Sequence, residues 1–221
     1  MIKTVWNLIR LEFRLEFRQK HTLAGLALFA LASVYLCYQA FQRIDDPAPW
    51  NALLWLIILF TAFNAIGKGF QQQSRGQRLY LYWNVSPKAF IAARIAYNMA
   101  LMLALGLLTF LLFFIFLGDG GLSGQMWGHY LLGLMVGNLG FAGLLTLISA
   151  IGGQSSNGVG LTAVLGLPVV IPLILILNTY TVQVLEGVPW PENSINLVFL
   201  LLLTMVMFLL SYLLFPYLWR D

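Results

Sequence analysis

Charge is scarce in this chain. Only 9% of its 221 residues are Asp, Glu, Lys or Arg, against 60% hydrophobic. A soluble domain of this length has no core large enough to hide so much apolar surface, whereas a bilayer solvates it. The mean hydropathy of +0.84 agrees. Cysteine is reduced to Cys37, and histidine to His21 and His129. That leaves no disulfide framework and no paired ligands for a metal or a haem iron. Cys37 reads as a buried small hydrophobe, and the histidines as interfacial polar residues at the ends of apolar runs. A Gly-rich loop followed by Lys-Ser or Lys-Thr is missing, as is any nucleophile–base pair. The chain therefore reads as no enzyme, with no cofactor or metal of its own.

What remains is six apolar stretches, at about 22–42, 49–67, 95–117, 128–151, 159–178 and 194–219. Each approaches or exceeds the roughly 20 residues that an α-helix needs to cross the hydrocarbon core. A membrane β-barrel would alternate over shorter segments, which these continuous Leu, Phe and Ile runs do not. The expected fold is all-α, a single polytopic domain over 1–221. The fourth and fifth spans are parted only by Gly152-Gly153-Gln154-Ser155-Ser156-Asn157-Gly158, a glycine- and serine-rich turn signal. No cleavable signal is read at the start. Glu12 and Glu16 are wrong for a signal n-region, and the run after them is too long for an h-region.

The few charges are sorted by side. Lys3, Arg10, Arg14, Arg18 and Lys20 precede the first span. Lys68, Arg75, Arg78, Lys88 and Arg94 lie between the second and third, and Arg220 follows the last. Six crossings put all of these on one face and leave Arg43, Asp45, Asp46, Asp119, Glu186 and Glu192 on the other. By the positive-inside rule both termini are expected in the cytoplasm of a cell whose inner membrane holds the chain. The net charge of +4 then concerns topology and anionic lipid, and nucleic acid is not implied.

Two cytoplasmic elements are expected. Residues 1–20 carry Val5, Leu8, Ile9, Phe13 and Phe17 at helical spacing beside the rows Arg10, Arg14, Arg18 and Glu12, Glu16. That pattern predicts an amphipathic helix in the interface, with its apolar face in lipid and its arginines toward headgroups. It serves either as a plain anchor or as an elbow that transmits a push from a cytoplasmic partner. The segment 68–94 is long for a connection in a helix bundle. It opens on the helix-compatible run 70–80, continues through Tyr80, Tyr82 and Trp83, and reaches Ser86-Pro87, which suits the start of the next helix. Aromatic and basic residues together fit either docking into a groove of another protein or resting on headgroups.

Mid-membrane charge, which ion-coupled transporters usually carry, is not found well inside these spans. The polar groups there are Asn64, Asn98, Asn138, Thr146 and Ser149, suited to interhelical hydrogen bonds. Gly133 and Gly137 form a GxxxG spacing for close helix packing. Pro168 and Pro172, four residues apart in the fifth span, suit a kink or hinge.

A six-span unit without a coupling charge or a nucleotide site suits a permease energised by a separate ATPase. The sequence resembles the CcmB family, the haem exporter B subunits of cytochrome c maturation. The specific block runs from Gly140-Phe141 through 144–151 and across the glycine turn to Leu165-Gly166-Leu167-Pro168-Val169-Val170-Ile171-Pro172-Leu173. Its core is Leu-Pro-x-x-Ile-Pro-Leu. The run 15–20, Trp50-Asn51-Ala52, and Ser74-Arg75-Gly76 with Leu79-Tyr80 add to the likeness, the last three resembling shorter variants of Bacteroidetes type. Gln71-Gln72-Gln73 stand where many members carry acidic residues, and the turn before the fifth span has no basic residue.

The resemblance implies a permease subunit working with a CcmA-like ATPase, with CcmC-like and CcmD-like membrane proteins, and with a CcmE-like haem chaperone. ATP is then used, and haem handled, by partner subunits. Coupling to the ATPase is expected at Gln71, Arg75, Gly76, Arg78, Leu79 and Tyr80, a hinge at Pro168 and Pro172, and helix packing at Gly133 and Gly137. A six-span half-unit implies pairing, and the fourth-span glycines are candidates for a homodimer contact. Two other readings stand beside this one: a generic ABC-2 type exporter of a lipid, glycan or drug, and a non-transporting assembly scaffold.

Overall fold

The computed structural model describes residues 2–18, 20–67, 85–152 and 158–218. Among them there is no strand. The helices are α1 (Ile2–Arg18), α2 (Lys20–Phe41), α3 (Pro47–Gly67), α4 (Pro87–Leu117), α5 (Met126–Gly152), α6 (Gly158–Leu185) and α7 (Trp190–Leu218). All but α1 are long and apolar enough to cross a membrane. Continuous helix is what lipid demands, because only internal hydrogen bonds satisfy the backbone there.

Local chemistry sets the ends. At α3, the Asp46 carboxylate accepts from the Ala48 N–H at 3.2 Å, and Pro47 occupies the first turn, where no amide donor is needed. At α4, Ser86 is the N-cap before Pro87, as the Ser-Pro pair predicts. At the end of α6, the Val188 N–H reaches the Gln183 carbonyl at 2.9 Å and the Gly187 N–H that of Val184 at 3.2 Å. Gly187 sits at φ 74°, so this is a Schellman stop that glycine adopts without a Cβ penalty.

Helix α5 is the axle of the bundle, packed on α3, α4, α6 and α7. It is also the most enclosed of the spans. Its glycines explain how neighbours come so close. A methyl on Gly133 would stand 2.5 Å from the Tyr180 ring, and one on Gly137 would stand 2.7 Å from Leu177 and 2.8 Å from Trp55. Further along the helix, Gly140 meets Leu173 and Thr204, and Gly143 meets Phe208. One small-residue ridge thus accepts side chains from α3, α6 and α7, as close packing in lipid requires. On α4, Gly106 lies against Asn138 of α5 in the same way.

The homodimer contact expected at the fourth-span glycines is not met. Gly133 and Gly137 are buried within one chain, covered by α6 and α3.

Candidate functional site

The spans have two ends. The loops 42–46, 118–125 and 186–189 gather at one. The starts of α2, α4 and α6 lie at the other, with the ends of α3, α5 and α7. The polar chemistry of the two ends differs.

At the acidic end, Trp50 of α3 is fully buried and donates from Nε1 to the Gly118 carbonyl at 3.2 Å. Tyr130 donates to Asn51 Oδ1 at 2.8 Å, and Asn51 Nδ2 donates to Asn178 Oδ1 at 2.8 Å. Trp55 Nε1 donates to Thr181 Oγ1 at 3.0 Å. These bonds tie α3, α5 and α6 together without a charge, and each partner would be costly to leave unpaired in lipid. Beside them, His129 stacks on Trp190 with ring centroids 4.2 Å apart. Both line a cleft of about 370 Å³ together with Met126, Gly187 and Asn193. No group of His, Cys, Asp and Glu able to hold a metal occurs among the described residues. His21 is exposed at the start of α2, and Cys37 is half-buried.

The basic end holds a different arrangement. Helix α4 starts at Pro87, about two turns before the span expected from 95, so Arg94 lies inside the helix. Its side chain is only 7% exposed, and its Nη1 donates to Glu12 Oε2 of α1 at 2.7 Å, the Glu12 side chain being 15% exposed. A lone charge at such a place is expensive, and a paired one is tolerated. The neighbouring contacts are apolar. Leu8 of α1 is buried in one cluster with Ala89 and Ala93 of α4, joined by Val5, Ile9 and Val85. Phe13 meets Tyr97 edge-to-face at 5.2 Å. Tyr97 shares a further cluster with Leu26 of α2 and with Leu101 and Leu105.

Helix α1 is therefore not simply laid on lipid as its periodicity predicts. Part of its apolar face is taken up by α4, where Ala89 and Ala93 are small enough to admit Leu8. Trp6 and Leu11 stay exposed, at 65% and 44%, and so do Arg10 and Arg14. The amphipathic pattern is real, and part of its apolar face is packed on protein. A second ion pair among the described residues, Arg43 Nε to Asp45 at 2.8 Å, lies at the acidic end with its side chains 71% and 82% exposed. It is a solvated surface pair, and the Glu12–Arg94 pair is not.

Of the expected functional residues, Gln71, Arg75, Gly76, Arg78, Leu79 and Tyr80 lie outside the described residues. They belong to the connection between Gly67 and the start of α4 at Pro87. Pro168 and Pro172 lie inside α6, which runs through both as helix, and both are exposed on its outer face. Asn98 bridges α4 to α5 by donating to Thr146 Oγ1 at 2.7 Å. Asn138 donates instead to Leu134 O of its own helix at 2.7 Å. Asn64 is exposed near the end of α3, while Ser149 is buried.

Sequence reading missed the Glu12–Arg94 pair and the Asn51–Asn178–Tyr130 chain. Their members stand far apart in sequence, 82 residues for the ion pair. The one available signal was the row of Glu12 and Glu16 beside the arginine row of the amphipathic segment.

The fold, then, is a six-span bundle whose basic end carries an amphipathic helix clamped to the span that follows a basic, aromatic connection. No curated protein matches the chain. The family model for the CcmB protein matches residues 3–217, so the chain belongs to the CcmB family, the ABC permease subunits of the haem-exporter system in cytochrome c maturation.

Proposed function

We propose that this chain couples ATP hydrolysis by a CcmA-like partner to haem delivery outside the cytoplasm, through release of a haem-loaded CcmE-like chaperone. CcmC-like and CcmD-like proteins complete the assembly. The chain sits in the inner membrane with both termini in the cytoplasm, as 11 of its 12 Lys and Arg residues favour. ATP and haem are handled by the partners. Two copies pair, as ABC machines place two such halves on two ATPases.

One observation carries this reading. The connection that bears Gln71, Arg75, Gly76, Arg78, Leu79 and Tyr80 leads straight into the first turns of α4, and those turns are packed on α1 rather than left to lipid. A force applied to the connection by a cytoplasmic ATPase thus meets a stiff joint and passes into the span. Within the bundle, α4 is packed on α5, and α5 on α6. The prolines then provide the compliance. Each removes one backbone hydrogen bond, so α6 bends more readily about Pro168 and Pro172 than about any other turn of α6.

Leu79→Asp tests the seat. A carboxylate in an apolar docking contact is costly, so the variant should hydrolyse ATP in the complex while c-type cytochromes fail to mature. Normal cytochrome levels in that variant would refute the coupling role of the connection.

A further inference from the structure

The Glu12–Arg94 pair is an unexpected feature at this end of the bundle. It is a charge-assisted contact at 2.7 Å, nearly closed to water, between α1 and the helix into which the connection runs. Hydrophobic contacts already attach α1 to α4. Apolar contacts between helices permit sliding, because neighbouring registers bury similar area. An ion pair in a low-dielectric setting resists it, because any shift that separates the charges gives up their attraction. Arg94 directly follows Ala93 and lies about two turns before Leu101, so the pair falls between the contacts that α4 makes with α1 and with α2. It therefore fixes the register of α1 on α4 at one point.

We propose that Glu12 and Arg94 are positioning residues for coupling: they make α1 and the first turns of α4 move as one body when the ATPase works. The proposal rests on the coupling reading above. Its mechanical consequence is specific. Displacement of the connection would be carried into α1, whose exposed Trp6 and Leu11 drag on the membrane surface, and on into α2, on which α1 also packs. Without the pair, α4 would slip past α1 and the stroke would be dissipated.

Two measurements on the intact complex test it. The first compares holo-cytochrome formed per ATP hydrolysed in Glu12→Gln, in Arg94→Gln, and in the charge-swapped double variant Glu12→Arg/Arg94→Glu, at matched amounts of assembled complex. The single variants should lower that ratio by about tenfold while ATP hydrolysis continues, and the swap should restore most of it. A purely structural role would lower the amount of complex and leave the ratio unchanged, and that result would overturn the proposal.

The second measurement stands whether or not the swap folds. Spin labels at Arg10 and Lys88, both exposed, in a Cys37→Ser background report the α1–α4 separation with and without trapped nucleotide. The distance should stay within about 2 Å in the parent and broaden in Glu12→Gln. A nucleotide-driven change of separation in the parent would overturn the one-body claim. Failure of the coupling reading itself would show separately, as normal cytochrome maturation in Leu79→Asp.

Discussion

The two ion pairs of the described structure make a controlled comparison at the scale of single residues. Both have the same type of geometry, 2.7 Å and 2.8 Å, and they differ in exposure. Glu12→Ala takes the Glu12 carboxylate away from a guanidinium that water reaches poorly, so it should cost on the order of 3 kcal/mol. Asp45→Ala frees a guanidinium already in water and should cost less than about 1 kcal/mol. Thermal unfolding of the two purified variants in the same detergent checks the difference, and equal losses would contradict the burial argument.

Gly137 gives a second residue-scale test. Its place beside Leu177 and Trp55 has no room for even a methyl group, so Gly137→Leu should destabilise the bundle by about 2 kcal/mol or more through overpacking. The same substitution at Gly25, which has nothing near it, should be nearly silent. Melting midpoints of the two variants separate the cases.

Sequence reading performs unevenly among these residues. That Gly133 and Gly137 serve close packing follows from spacing, whereas their partners on α6 and α3 are fixed by a fold that spacing does not encode. Ser86-Pro87 announces the start of α4 because capping is local. Arg94 is invisible as a site because hydropathy treats a charge at a span end as a solvated flank. Only the docking of α1 on α4 encloses it.

Among the elements, the spans were the legible part, since a bilayer imposes length and apolarity directly on the chain. Helix α1 was legible as amphipathic but not as docked. The same face that prefers lipid also fits a pair of alanines, and periodicity cannot choose between them. The prolines of α6 are where element-scale motion is expected.

If α6 bends at its proline pair, Pro168→Ala/Pro172→Ala should stiffen it. Restoring two backbone hydrogen bonds should raise the melting temperature while lowering cytochrome maturation, since added rigidity opposes a working motion. Unchanged maturation with raised stability would assign the prolines to shape alone. Their exposed position means that the substitution leaves no core cavity to confuse the result.

For the whole molecule, the arrangement is polarised. The end with the loops 42–46, 118–125 and 186–189 is tied by uncharged hydrogen bonds and aromatic packing around Trp50 and Tyr130. The opposite end carries most of the basic charge and the α1–α4 joint. Such a division suits a machine driven from one side, whose other side stays firm while the spans tilt. Because the glycine ridge of α5 is consumed inside the chain, the pairing proposed above would have to use another face. Which chemistry the machine serves is a matter of its partners.

Purification of the tagged chain in mild detergent from its native membrane, with co-purifying proteins identified by mass spectrometry, therefore tests the central claim most directly. An ABC ATPase should be recovered together with haem-handling membrane proteins. Absence of any ATPase, even after crosslinking, would contradict the account and leave the chain as a scaffold.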